Sequence, residues 1–238
     1  MEKRIAIISD IHGNLPALTA VLEDIRAFGA DETYCLGDLT DAAPWHNEVI
    51  DLIRARNIPT IMGNHDERIA FDLPILPLQK HGEEERQARI AAINHTKATI
   101  HAAHRSYLSQ LPHSMRFSLG GKNFLLVHGS PASNDEYLYE NHDASALQAM
   151  LQTHHADVMI CGHTHHSYIR TLAKGLVINT GSCGRTKEGD GKATYLRITA
   201  NDEEIHYQLT KVNYDIAATA AGIMASPIPD FYAELLLR

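Results

Sequence analysis

Arg4-Ile5-Ala6-Ile7-Ile8-Ser9-Asp10-Ile11-His12 opens the chain with an isoleucine-rich run that stops on a carboxylate and an imidazole two positions apart. The run has no alternation of polar and apolar residues, which marks a buried strand. On an extended chain, side chains two apart point the same way, so Asp10 and His12 are read as reaching one ion. The same ending recurs four times: Gly37-Asp38, Gly63-Asn64-His65-Asp66, Val127-His128-Gly129 and Gly162-His163-Thr164-His165 each close an apolar run. Every donor is a carboxylate oxygen, an amide oxygen or an imidazole nitrogen, and no cysteine stands among them. That mixture suits hard or borderline divalent ions, Mn or Fe foremost, with Zn or Ni admitted. Asp10, His12, Asp38, Asn64, His128, His163 and His165 are too many ligands for one ion that keeps positions open. They suit two ions sharing a bridge, an arrangement that activates water against phosphorus. Sites in open α/β sheets collect beyond the carboxyl ends of strands, so five strands are expected to deliver these ligands to one edge.

The segments between support that layout. Asn14 and Pro16 open a helix in which Leu15, Leu18, Val21, Leu22 and Ile25 recur at helical steps, and Gly29 stops it. A strand at 33–36, a helix at 47–56 and a strand at 59–62 follow. Strand–helix–strand–helix–strand is the pattern of parallel pairing with right-handed crossovers. Residues 67–112 are expected to form a helical insertion around Pro74 and Pro77, with helical stretches at 83–93 and 96–108. The insertion either overhangs a pocket or packs as a layer on the sheet. Strands are expected at 123–127, 157–161 and 176–179, with a helix at 145–153 between the first two. A hairpin of 193–199 with 204–211 turns at 200–203, and two short helices at 216–225 and 230–237 end the chain. One α/β domain over 1–238, with its insertion at about 67–112 and a helical tail from about 214, accounts for the pattern.

Composition narrows the function. With 238 residues, 44% of them hydrophobic, the chain supports a sizeable core. Its net charge of −8 argues against a general nucleic-acid binder, which needs a basic surface to replace counterions. Two bound divalent ions add roughly four positive charges to one pocket, which suits a small anionic substrate. No apolar run reaches the ~18 residues of a membrane span. The N-terminal apolar run is too short for a signal core and ends in a candidate ligand. Three cysteines, Cys35, Cys161 and Cys183, lack paired spacing, which points to reduced thiols and a cytoplasmic setting. The apolar stretch 231–237 docks either on a second copy, giving a homo-oligomer, or on its own core.

The five segments, in this order, resemble the signature of the calcineurin-like metallophosphoesterases across residues 4–184. Asn179-Thr180-Gly181-Ser182-Cys183-Gly184 and the tail from Tyr214-Asp215-Ile216 are similar to the small bacterial branch of predicted phosphoesterases, some of whose members are diadenosine tetraphosphatases. The resemblance implies an α/β four-layer sandwich, two central mixed sheets flanked by helices. It implies Asp10, His12 and His165 at a first ion, Asn64, His128 and His163 at a second, and Asp38 as the bridge; an exchange of His163 and His165 between the ions stays open. It implies hydrolysis of a small phosphorylated molecule, a nucleotide or dinucleoside polyphosphate among the candidates, by a hydroxide held between the ions. A general phosphodiesterase or phosphomonoesterase is the alternative, and a non-catalytic scaffold on the same fold is a third reading. His65 corresponds to the family's histidine that stabilises the transition state or protonates the leaving oxygen. Asp41 and Asp66 are the two candidates to orient it. Ala42 follows Asp41 where protein phosphatases of the superfamily carry an arginine, which counts against that class. Ser182, with Arg185 and Lys187 just past it, is expected at the substrate's phosphates; solvated surface charge is the alternative for the two cations.

Overall fold

Alternate residues along the inner strands face two different cores, and that division builds the architecture. The structure is a computed structural model and describes residues 2–77, 82–201 and 203–237. β1 (Lys3–Ile8) turns Ile5 and Ile7 to one core and Ala6 and Ile8 to another, all buried. α1 (Leu15–Phe28) begins where the Asn14 side-chain oxygen accepts from the Ala17 amide at 3.1 Å, with Pro16 in its first turn; both devices suit a helix start. The chain returns through β2 (Glu32–Cys35), parallel to β1, and runs on into α2 (His46–Ala55).

The strand expected at 59–62 is reduced to a single parallel bridge between Cys35 and Thr60. Pro59 has no amide hydrogen to donate, and the Met62 amide turns away to the Pro112 carbonyl at 2.8 Å. Directly after it, where the sequence suggests an extended ligand segment, the chain starts α3 (Asn64–Ala70). α4 (Glu83–Thr99) and α5 (Ala102–Leu108) follow. The break between them falls at Ile100-His101 rather than near 94. There the Asn47 side chain, reaching over from α2, donates to the Thr99 carbonyl and accepts from the His101 amide, both at 3.0 Å. Residues 78–81 of the expected insertion, and Asp202 of the expected hairpin turn, lie outside the described residues.

β3 (Ser114–Leu119) and β4 (Lys122–Val127) form an antiparallel hairpin. α6 (Ala144–Thr153) leads to β5 (Val158–Cys161), followed by β6 (Ser167–Thr171), β7 (Leu176–Thr180), β8 (Ala193–Ala200) and β9 (Ile205–Val212). β3 and β6 escape the sequence reading because each is an edge strand carrying polar and charged residues along an apolar pattern. Two mixed sheets result, β2-β1-β8-β9 and β3-β4-β5-β7-β6. Between them lies a core of Ile5, Ile7, Phe124, Leu126, Val158, Ile160, Ile178, Leu196 and Ile198. The outer face of the first sheet packs on α1 and α2 through Ile8, Leu18, Val21, Ile50 and Ile53. The outer face of the second packs on α6 through Leu125, Met159, Val177, Leu147 and Leu151. Helix, sheet, sheet and helix make the four layers.

α7 (Ile216–Met224) and α8 (Phe231–Leu237) close the chain. Tyr232 and Ala233 of α8 pack with Ala88 and Ala92 of α4 and with the Ala42-Ala43 turn. The tail therefore covers its own core, the second of the two placements left open by the sequence.

Candidate metal centre

The ligand segments leave β1 and β2 in one sheet and β4 and β5 in the other, so the site spans the ends of two stacked sheets instead of one edge. Nor are the segments extended. Asp10, His12, Asp38, His163 and His165 all have positive φ, between 52° and 64°, and Asp41 (69°) and Ala42 (66°) join them. Left-handed backbone costs a non-glycine residue roughly 1–2 kcal/mol, and such strain clusters where the surrounding structure over-determines it. The two-residue spacing of Asp10 with His12 and of His163 with His165 thus works through tight turns, which strand alternation does not describe.

Main-chain bonds interlock these turns. The Asp10 amide donates to the Gly37 carbonyl at 3.0 Å, and those of Ile11 and His12 donate to Asp38 at 2.9 Å. The Asp66 carboxylate, fully buried, accepts from the amides of Asp38 (2.7 Å), Leu39 (2.9 Å) and Gly63 (3.1 Å). It therefore fastens the Asp38 loop to the start of α3 and does not touch His65. Burial and the nearby Asp38 raise Asp66 to about 7, against the pull of those amides. Gly63 sits so close to Asp38 that a Cβ there would overlap the Asp38 amide and Oδ1, and a Cβ at Gly162 would overlap Ser9 Oγ.

Three overlapping groups of donors converge: Asp10, His12 and His165; His12, Asp38 and His65; Asp38, His128 and His163. Within each the ligand atoms lie within 4.8 Å of one another. His12 Nδ1 donates to the Thr40 carbonyl (3.2 Å), His128 Nδ1 to Leu36 (2.8 Å) and His165 Nδ1 to Arg185 (2.6 Å). A carbonyl only accepts, so these bonds place a hydrogen on each Nδ1 and, in a neutral ring, leave Nε2 a lone pair aimed at the site. His12 Nε2 and His165 Nε2 face each other at 3.1 Å, two lone pairs with no hydrogen between them. His128 Nε2 faces the Asn64 side-chain oxygen at 3.2 Å. The Asn64 amide is turned that way because its nitrogen donates to Asp135 Oδ1 at 2.9 Å. Asp10 Oδ1 and His163 Nε2 are buried without a hydrogen-bond partner. Acceptors opposed at hydrogen-bond distance repel, and buried orphan acceptors are costly. A cation among them turns each repulsion into a ligand bond, so the donor set fits divalent metal.

The electrostatics agree for three of the four rings. Burial, then the neighbouring His165, holds His12 well below the usual histidine range. Burial lowers His163 to about 3, helped by His128, and lowers His165 to about 4. All three are neutral near pH 7, as ligands must be. His128 differs: burial works against its charge, but Asp38, 3.4 Å away, more than offsets it and raises the ring to about 10, so a cation at Nε2 has to displace a proton there. Asp38 Oδ2 also lies 3.7 Å from His12 Nε2, so it is within reach of both His12 and His128.

His65 stands beside this array, on the first turn of α3. Its Nδ1 donates to Asp41 Oδ2 at 2.6 Å, and its side chain keeps 16% exposure. Of the two candidate orienting carboxylates, Asp41 holds the ring. A cavity of about 410 Å³ opens over Asp38, Asn64, His65, His163 and His165. Its walls include Arg68 of α3, Arg89 of α4, and Arg185, Lys187 and Tyr232, so the helical insertion overhangs the site. Arg185 reaches it as the sequence suggests, stacked over the Tyr232 ring at 4.8 Å and 3.6 Å from Glu85. Ser182 faces the ligand turns. It is fully buried, donates to the Asp10 carbonyl at 2.7 Å and accepts from the Arg185 amide at 2.8 Å, so its hydroxyl is spent on the ligand turns. Sequence reading missed Asp135, Tyr137 (ring centroid 4.0 Å from that of His163), Arg68 and Arg89. Arg68 alone carried a signal, four residues past Asn64 and so on the same face of a helix.

Comparison with known proteins agrees with this geometry. Residues 4–203 match the calcineurin-like phosphoesterase superfamily domain. An uncharacterized protein of Methanocaldococcus jannaschii is 29% identical, over 99% of this chain and 98% of its own. The crystal structure of a metallophosphoesterase from Sphaerobacter thermophilus superposes with a TM-score of 0.78 at 28% identity, over 99% of this chain and 98% of that one. A hypothetical protein from Pyrococcus horikoshii shares the fold, with a TM-score of 0.83 at 23% identity over 98% and 97% of the two chains. The chain belongs to the calcineurin-like phosphoesterase superfamily.

Proposed function

We propose that this calcineurin-like phosphoesterase hydrolyses a phosphoric ester or anhydride of a small phosphorylated molecule, with a nucleotide or dinucleoside polyphosphate as the leading class. Two divalent cations take part. The observation that carries this reading is the pair of opposed lone pairs at His12 Nε2 and His165 Nε2, 3.1 Å apart with both Nδ1 atoms committed to carbonyls. Asp10, His12 and His165 would hold one cation and Asn64, His128 and His163 the other, with Asp38 shared. When bound, the cations supply an acidified water as nucleophile and positive charge for the phosphoryl oxygens.

The chain's own residues do the rest. The interlocked left-handed turns hold the donors stiffly, which fixes the reacting geometry. In the imidazolium form both His65 nitrogens carry hydrogen; Asp41 holds the Nδ1–H and leaves the Nε2–H to pass its proton to the leaving oxygen, which returns the ring to its neutral form. Arg185, at the cavity wall, is placed to meet the substrate's anionic end. A non-catalytic scaffold has no use for opposed buried acceptors or for a histidine held by a carboxylate, so the donor set favours chemistry. Three free, buried cysteines fit a reducing, cytoplasmic setting.

The test is turnover of bis-p-nitrophenyl phosphate, p-nitrophenyl phosphate and diadenosine tetraphosphate by the purified protein with added Mn. Metal-dependent hydrolysis is expected, and the preferred substrate separates the polyphosphate reading from a general diesterase or monoesterase. No turnover of any of the three, with or without metal, would overturn it.

A further inference from the structure

Two guanidinium groups in the wall of the cavity have no counter-ion among the described residues. Arg68 and Arg89 are each only 8% exposed. Among the described residues no carboxylate pairs with either of them. Arg89 Nη1 donates to the Leu76 carbonyl at 2.9 Å, while Arg68 Nη1 is buried with no hydrogen-bond partner among the described residues. Both line the cavity that opens over Asp38, Asn64 and His65. Burial, then the neighbouring Arg68, lowers the pKa of Arg89, and Asp41 and Tyr232 offset this only in part, without pairing. A buried, uncompensated charge is costly, and two close together more so. Arg185 differs, since it lies 3.6 Å from Glu85.

We infer that Arg68 and Arg89 form a subsite for a second phosphate of the substrate, one phosphoryl group beyond the one placed at the metal ligands. The placement follows from α3. Asn64 and Arg68 are four residues apart, so their side chains share one face of the helix and stand about one 5.4 Å turn apart along it. A substrate phosphoryl group near Asn64 therefore puts its next phosphate neighbour at Arg68. The charge selects phosphate over carboxylate. Two guanidinium groups are balanced by a terminal phosphate, which is dianionic and whose oxygens accept from planar nitrogen forks, whereas a carboxylate balances only one. This deepens, and rests on, the phosphoesterase reading above. It makes the substrate a di- or polyphosphate, as distinct from a simple diester.

The experiment is calorimetric titration of the full chain in Mn buffer with inorganic phosphate and, separately, with methylenediphosphonate, a diphosphate mimic that does not hydrolyse. The wild type is expected to bind the diphosphonate at least ~30-fold more tightly than phosphate, as a pair of charge-assisted contacts supplies. In Arg68→Gln/Arg89→Gln that preference is expected to fall at least tenfold. A wild type without preference, or a double variant that keeps it, would overturn the subsite. Melting of Arg68→Met reads the same inference without ligand. Loss of an uncompensated buried charge is expected to raise the melting temperature, whereas a fall would assign Arg68 a structural role and contradict the inference. Hydrolysis of bis-p-nitrophenyl phosphate by the same wild-type sample reports on the phosphoesterase reading separately. Turnover of that diester, p-nitrophenyl phosphate or diadenosine tetraphosphate without diphosphonate preference rejects the subsite alone, and preference without turnover of any of the three rejects the esterase reading alone.

Discussion

His65 and Asp41 form the smallest unit whose chemistry is testable. The 2.6 Å bond from His65 Nδ1 to Asp41 makes Nε2 the only ring nitrogen free for substrate. His65→Asn is expected to keep its metal content and lose ~10²–10⁴-fold in turnover, the range for a missing general acid. Elemental analysis beside the hydrolysis rate checks both halves. Asp41→Asn keeps the ring but weakens its orientation, so a loss of ~10–100-fold in turnover with unchanged metal content is expected; turnover near wild type would remove Asp41 from the mechanism. At this scale the sequence was informative where a residue's type states its task. Each of the five donor segments reaches the site. It was misleading where a task depends on a neighbour from elsewhere. Ser182 lies in a loop that looks made for phosphate, yet its hydroxyl is bonded to the Asp10 carbonyl. Asp66 adjoins His65 in sequence while Asp41 lies 24 residues away, and only the fold shows that Asp41 meets the ring and Asp66 turns to three amides instead.

Among the elements, α3 carries the densest set of functions, with Asn64, His65 and Arg68 in its first two turns and Asp66 tying it to the Asp38 loop. The apolar run before it masked its start, because a strand-like segment followed by ligands looks the same whether a turn or a helix comes next. Its entry point, Gly63, leaves no room for a side chain. Gly63→Ala is expected to push Asp38 aside, to destabilise by roughly 1–3 kcal/mol as overpacking does, and to reduce bound metal. Thermal melting and elemental analysis would show both, and a variant with normal metal content would refute the close-packing argument. α2 carries a pH response. His46 is buried, donates or accepts only with Thr99 Oγ1 at 3.0 Å, and is lowered to about 4 by burial and then by His95. Its folded pKa lies below the unfolded value, so its contribution to stability is full above about pH 6.5 and is lost as pH falls toward 4, by at most ~1.4 kcal/mol per unit. Melting curves of the wild type and His46→Gln between pH 7 and 5 are expected to converge at the acid end. A parallel fall in both would exclude His46 as the cause.

For the whole molecule, the sequence disclosed the alternation of strands and helices and the convergence of ligands, because buried parallel strands keep long apolar runs. It did not disclose that two sheets share the work. β1 with β2 and β4 with β5 each look locally like part of one parallel sheet. Only the antiparallel insertion of β8 beside β1, seen in the register of Ile7 with Leu196, separates them into two. The tail illustrates the same limit, since an apolar helix reads alike whether it covers its own chain or another. The two-sheet frame exists, on this reading, to hold two donor sets around Asp38. Calorimetric titration of Mn into chelator-stripped protein tests that most directly. Two equivalents per chain are expected for the wild type and for His65→Asn, and fewer than two for Asp38→Asn. One equivalent or none in the wild type, or two in Asp38→Asn, would contradict a shared two-ion centre.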